Sequence, residues 1–195
     1  MHAWNFLHSS KPSPAPAPTL KLELPLWPGA RLFCSNRSGG VSVAPYDSLN
    51  LGDHVGDDPA KVATNRQRLT HSWGVRPVFM HQVHGTELVC VDDIAAGDVP
   101  TADACWSTRP GQACTIMVAD CLPVLFYLRS ARVVAAAHAG WRGLAAGVLE
   151  HTLTHLSTLG RPEDVQVWLG PCIGPRAFEV GNDVMHAFCA TNPQA

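Results

Sequence analysis

Three apolar runs follow one another closely at residues 114–119, 124–127 and 133–137. They are too short for ordinary helices, and they do not alternate apolar with polar residues. They read as buried strands. Helices are expected as well. Asp58 can cap a helix with Pro59 at its first position, running to about Trp73 and stopped by Gly74. A second helix is expected over 143–159, with Ala145, Leu149, Leu153 and Leu156 on one stripe and Gly160 at its end. A third is expected over 181–190, with Asn182 or Asp183 near its start. Further short strands are expected at 31–36, 78–83, 88–91 and 165–169, with Pro123 marking a bulge or break. This mixture gives an α/β or α+β layered fold, without internal repeats.

Composition bounds the rest. Apolar residues make up 46 % of 195 residues and charged residues 15 %, which is enough for a core and argues against global disorder. A net charge of -2 leaves no electrostatic footprint for nucleic acid. No apolar run reaches the length of a membrane span. Residues 1–19 carry Pro12, Pro14, Pro16 and Pro18 among Ser and Ala, and read as a disordered leader ahead of one domain at 20–195. The seven cysteines are odd in number, show no C-x-x-C spacing and follow no apolar signal segment. A reducing cytoplasm suits them better than a disulfide framework.

Three apolar runs end on side chains that bind metals: His84 in Gln82-Val83-His84-Gly85, Cys121 in Ala119-Asp120-Cys121-Leu122-Pro123, and His138 in His138-Ala139-Gly140-Trp141-Arg142-Gly143. Strand ends fix position while the following turns leave access. Two imidazoles and a thiolate form the kind of three-ligand set that leaves a fourth zinc position open. Spacing alone leaves other roles open, since a cysteine after a strand also serves as a small core residue and a histidine as a satisfied polar group. His151 and His155 lie one helical turn apart and could chelate, but are expected on the solvated face opposite the leucine stripe. Arg37 beside Gly39-Gly40 and Arg142 before a helix start are candidate anion holders, with a plain surface turn and an ion pair as the alternatives. Asp53, Asp57 and Asp58 form a carboxylate cluster that capping already explains in part. Walker, G-x-S-x-G and H-E-x-x-H motifs are absent, as are the His-x-His pairs that a multicopper centre needs.

The sequence resembles the laccase-domain proteins, also described as polyphenol oxidases, peptidoglycan editing factors and purine nucleoside phosphorylases. The matching stretches are Arg37-Ser38-Gly39-Gly40-Val41-Ser42, Tyr46-Asp47-Ser48-Leu49-Asn50-Leu51-Gly52, Thr101-Ala102-Asp103-Ala104, Leu169-Gly170-Pro171-Cys172-Ile173-Gly174-Pro175 and the three ligand segments above. The resemblance implies His84, Cys121 and His138 as metal ligands and catalytic residues, with zinc as the metal and copper as the alternative. It places Arg37, Asn50 and Gln82 near the same pocket. It implies an α/β/β/α sandwich like that of the cytotoxic necrotising factors. It also implies phosphorolysis of adenosine, inosine, guanosine and methylthioadenosine, plus adenosine deamination, with nucleoside and phosphate as the partners.

In that reading a zinc ion activates water for attack at C6 of adenosine, while Arg37 and Arg142 position phosphate for attack at C1′. Two other enzymatic readings use the same triad: hydrolysis of wrongly built muramoyl–amino-acid precursors, with Cys121 as nucleophile or zinc-bound water as attacker, and phenol oxidation with copper. Members of the family continue past the equivalent of Ala195. A shortened chain with an exposed apolar surface is therefore expected, and an inactive fragment is the fourth reading.

Overall fold

The computed structural model describes the strand β1 (His2–His8) and residues 27–191. Around β1 stand β2 (Ala30–Cys34), β6 (Gln112–Val118) and β3 (Arg76–Val78), in the sheet order β2-β1-β6-β3. The second sheet has the order β4-β5-β8-β7-β9, made of β4 (Leu88–Cys90), β5 (Ala104–Ser107), β8 (Val133–Ala139), β7 (Leu122–Leu128) and β9 (Val165–Leu169). Both sheets are mixed: β3–β6 and β4–β5 pair in parallel, and the other neighbours are antiparallel.

Side-chain parity explains the layering, because successive residues of a strand face opposite ways. Cys114 and Ile116 of β6, Leu125 and Tyr127 of β7, and Val134 and Ala136 of β8 share one core between the sheets. Their neighbours Ala113 and Met117 face outward onto Leu69 and Trp73 of α1 (Pro59–Trp73). On the other side, Val124, Phe126, Ala135 and Ala137 face Val148 and Leu156 of α3 (Val148–Leu159). The result is the expected α/β/β/α sandwich. Runs buried on both faces are what a sheet in the middle of such a stack requires.

Helix α1 follows its sequence signals. The Asp58 carboxylate accepts the Ala60 N–H at 2.9 Å, Pro59 occupies the first turn, and Gly74 ends the helix in the left-handed region at φ 67°. Its buried Asn65 donates to Ser42 Oγ and to the Ser48 and Asn50 carbonyls, and accepts the Val41 N–H, which fastens the 41–50 loop to the helix.

Four expectations need correction. Residues 2–8 belong to a sheet instead of the leader, for Trp4, Phe6 and Leu7 lie in a strand of their own ahead of the proline run; residues 9–19 lie outside the described residues. The helix expected over 143–159 is two, α2 (Trp141–Ala145) and α3, because Gly147 turns the chain at φ 92°. That break re-phases the buried face to Val148, Thr152 and Leu156, and leaves Leu153 exposed. The strand expected over 78–83 shrinks to β3, beyond which His81 makes a single bridge to Thr101. Pro123 sits inside β7, where its carbonyl accepts the Gly170 N–H at 2.9 Å. The remaining helix, α4, spans Asn182–Thr191 and packs on α2. Val167, Leu169, Val180 and Met185 are exposed apolar residues of the β9 to α4 region.

Candidate metal centre

Strand parity also decides where the ligands point. His138 shares the even parity of Val134 and Ala136, so its ring leaves β8 on the inter-sheet side. Cys121 stands in the tight turn between β6 and β7 and packs against the same core. His84 follows β3 on a loop whose course is fixed by Gln82, which donates to the Met117 carbonyl and accepts the Met117 N–H, both at 2.9 Å. These three side chains meet: their ligand atoms all lie within 4.8 Å of one another, and Cys121 Sγ is 3.8 Å from His84 Nε2. Metal–nitrogen bonds of about 2.0–2.1 Å and metal–sulfur bonds of about 2.3 Å require neighbouring ligand atoms roughly 3.3–3.8 Å apart in a tetrahedron. The donor set therefore fits one ion after a small contraction, with two imidazoles, one thiol and an open side.

A residue to which the sequence reading gave no role organises this cluster. Asp103 is fully buried at the start of β5. Its oxygens accept the backbone N–H groups of Val83, His84 and Gly85 at 3.0, 2.9 and 2.7 Å. Three consecutive N–H groups converging on a carboxylate hold the loop in place, and with it His84, whose φ of 61° is unusual for a residue other than glycine. Asp103 also contacts His138 Nδ1 at 2.8 Å. An ionised carboxylate only accepts, so Nδ1 carries the hydrogen and Nε2 is left for a metal. The available signal was the position of Asp103 in the Thr101-Ala102-Asp103-Ala104 stretch, a carboxylate set between two alanines where a buried strand begins.

The electrostatics follow from these contacts. Burial would raise the Asp103 pKa, but the His138 bond and the three N–H groups outweigh it and hold the carboxyl below its usual value. Burial alone would lower His138; Asp103 and Cys121 override it and bring its pKa to about 9. His84 is lowered by burial and then by the charge of His138. A metal would replace the proton on His138 and relieve the repulsion between the two rings, which stand edge to face at 4.7 Å.

Two glycines of the His138 motif are explained by crowding. A Cβ on Gly140 would lie 2.5 Å from His84 Cδ2 and 3.2 Å from Cys121 Sγ, and one on Gly143 would lie 2.8 Å from the Gly85 carbonyl oxygen. The α2 backbone thus presses directly on the cluster and on the loop that carries His84.

The other candidates separate. Arg142 is exposed and its guanidinium lies over the Trp141 ring at 4.2 Å. Its charge is felt by His84. Helix α2 has only five residues, so its dipole adds little to an anion site. Arg37 does not form a nest with Gly39-Gly40; it donates to the Asp47 carbonyl at 2.9 Å and pairs with the Asp47 carboxylate at 3.4 Å. Asn50 is buried and spends its amide on Gly52 and Asp57. A cavity of about 320 Å³ opens between Arg37, Asp47, Asn50, Val55 and Ala119, next to the turn that bears Cys121. Arg37 and Asn50 therefore lie together at that cavity, while Gln82 acts on the backbone. His151 is exposed, with Nδ1 2.8 Å from the Thr86 carbonyl oxygen, whereas His155 turns back onto Trp106 at 4.7 Å, so the two do not form a chelate. Of the acidic cluster, Asp58 caps α1, Asp57 accepts Ser42 and Asn50, and Asp53 pairs with Arg66.

Comparison with known proteins agrees with this architecture. The chain is 56 % identical over 174 residues to the purine nucleoside phosphorylase PA4543 of Pseudomonas aeruginosa, covering 88 % of this chain and 70 % of that protein. It is 49 % identical over 180 residues to the purine nucleoside phosphorylase YfiH of Escherichia coli, covering 90 % and 73 %. The crystal structure of NMB0706 from Neisseria meningitidis superposes with a TM-score of 0.76 at 43 % identity, covering 97 % of this chain and 72 % of that one. YlmD from Geobacillus stearothermophilus superposes at 0.71 and 36 % identity, covering 78 % and 62 %. Residues 31–195 match the model of one family, and the chain belongs to it: the multi-copper polyphenol oxidoreductase laccases.

Proposed function

We propose that this protein is a zinc-dependent purine nucleoside phosphorylase that acts on adenosine, inosine, guanosine and methylthioadenosine, with adenosine deamination as a second activity. The observation that carries the reading is the meeting of His84, Cys121 and His138 at one point, in a chain about half identical to proteins that bear the phosphorylase name. A His₂Cys donor set suits zinc. Copper is disfavoured because the sequence has no His-x-His pair.

When bound, zinc supplies Lewis acidity and lowers the pKa of water to about 7. The chain's own groups do the positioning. Asp103 keeps the hydrogen of His138 on Nδ1, so that Nε2 faces the cluster. Phosphorolysis further needs phosphate held in line with C1′ while positive charge develops on the sugar. Arg142 suits that task, because its guanidinium stacks on Trp141 and makes no hydrogen bond among the described residues. Arg37 would first have to leave Asp47. The reading extends to a cytoplasmic location, where an odd number of cysteines is kept reduced; no described helix is long and apolar enough to cross a membrane.

The test is incubation of zinc-loaded protein with inosine or adenosine, with and without inorganic phosphate, followed by chromatography. Phosphate-dependent release of free base with ribose 1-phosphate is expected, and inosine should form from adenosine. Base release that does not depend on phosphate, or none at all, overturns the phosphorylase reading.

A further inference from the structure

The segment that leaves β9 carries a thiol, and backbone pairing brings it to the metal centre. Strands β7 and β9 run antiparallel, with Val124 opposite Leu169. The pairing continues past the end of β9. The Gly170 N–H donates to the Pro123 carbonyl and the Ile173 N–H to the Asp120 carbonyl, each at 2.9 Å. In both contacts the partners are those that the same register requires, so Cys172 stands opposite Cys121, between the two bonds. Residues opposed in antiparallel segments have Cα atoms about 4.5–5.5 Å apart. A disulfide spans Cα separations of about 4.4–6.8 Å.

Cys121 and Cys172 also line one cavity of about 360 Å³, together with Trp141 of α2 and Phe188 of α4. Cys172 is exposed and Cys121 only partly buried, so a small solute can reach both. The other thiols are set apart. Cys105 and Cys114 are buried. Cys34 lines a neighbouring cavity with Cys172, but burial pushes its pKa up to about 12, which keeps it protonated. Cys121 binds a metal as thiolate, and the thiolate is the form that peroxides oxidise. Disulfides of reducing compartments are of this transient, redox-responsive kind.

We propose that Cys121 and Cys172 form a reversible redox pair, in which Cys172 is the resolving cysteine when a peroxide oxidises the metal-binding thiol. This rests on the metal reading of the triad and not on the choice of substrate. In the first step the Cys121 thiolate attacks one oxygen of hydrogen peroxide. The O–O bond breaks, giving a sulfenic acid at Cys121 and a hydroxide ion. In the second step the Cys172 sulfur attacks the Cys121 sulfur. The S–O bond breaks, and the hydroxyl leaves as water with the Cys172 proton. Two electrons have passed from the sulfurs to the peroxide. The disulfide offers no thiolate, so the triad is reduced to His84 and His138 and holds its ion less tightly. Without Cys172 the sulfenic acid would meet more peroxide and pass to the sulfinic acid, which thiol reductants do not reverse.

The experiment treats zinc-loaded wild type and Cys172→Ala with hydrogen peroxide and then with dithiothreitol. Linked peptides are mapped by mass spectrometry after free thiols are blocked, and zinc is followed with a chromophoric chelator. In the wild type a peptide linking Cys121 to Cys172 should appear as zinc is released, and the reductant should restore most of the zinc binding. Cys172→Ala should lose zinc as well, with Cys121 found as sulfinic acid and zinc binding after reductant at least about tenfold below the wild type. Cys172→Ser makes the same comparison should the first variant melt early. Absence of the linked peptide, a link from Cys172 to Cys34 in its place, or equal recovery in variant and wild type each overturn the proposal. A wild type that binds no zinc before oxidation overturns the metal reading, and the linked peptide then decides the pairing by itself.

Discussion

Asp103 meets His138 at 2.8 Å through the same oxygen that accepts the His84 backbone N–H at 2.9 Å, so one buried carboxylate sets the direction of both imidazoles. Asp103→Asn should keep the fold's volume but lose one acceptor and the fixed tautomer. Zinc affinity should fall by about 10–100-fold, read by titration against a chromophoric chelator. Unchanged affinity would show that the carboxylate serves the loop alone.

Cys121 separates the chemical readings of the site. As a ligand it binds as thiolate, and metal binding drives the deprotonation. Cys121→Ser should lose zinc on dialysis and lose turnover together, measured by elemental analysis and base release on one preparation. Retained zinc with abolished turnover would favour a covalent nucleophile, as hydrolysis of muramoyl–amino-acid precursors would use.

Gly140→Ala tests the crowding around the cluster. The added methyl would lie 2.5 Å from His84 Cδ2, against a loop pinned by Asp103. We expect a stability loss of about 1–3 kcal/mol, as for overpacking elsewhere, with a larger proportional loss of zinc affinity. Denaturant melts of the metal-free protein and metal titrations of the folded protein read the two effects separately. A variant that binds zinc like the wild type would place the ring of His84 elsewhere.

Acid sensitivity should come partly from Asp92, remote from the cluster. Burial would raise its pKa, yet hydrogen bonds from Ser107 and from the Thr108 backbone and hydroxyl bring it below its ordinary value. A carboxyl lowered in the folded state contributes stability that is present above its unfolded pKa of about 3.9 and is lost as pH falls through the folded value. Asp92→Asn should therefore lower stability at neutral pH and flatten the decline below about pH 4. Chemical melts at neutral and acid pH would show it, and parallel losses in both proteins would refute it.

Much of this was legible in residue types. Asp58, Pro59 and Gly74 mark both ends of α1 because capping is a local effect. The buried strands showed in unbroken apolar runs, though not that both of their faces are covered. The triad showed because each ligand ends such a run. What escaped depends on longer range. Gly147 interrupts a helical stripe that reads as continuous, since a glycine is also tolerated within helices. Strand β1 stands apart from the other strands in the sequence, and its place between β2 and β6 is fixed by pairing with residues more than twenty positions away. Asp103 escaped because its value lies in four hydrogen bonds to two distant segments. The grip of Gln82 on the Met117 backbone escaped for the same reason, since the two residues lie 35 positions apart.

The Gln82 clasp has a mechanical consequence. Through it His84 is hung from the end of β6 in the first sheet, while His138 stands on β8 in the second and Cys121 occupies the turn that joins the two sheets. An ion bound by all three would act as a rivet through both layers at one end of the sandwich. Sliding one sheet over the other by a fraction of an ångström would pull the ligands apart before it disturbed the apolar core. Loss of the ion would then be the first sign of shear, and loading it would raise the force needed to separate the sheets.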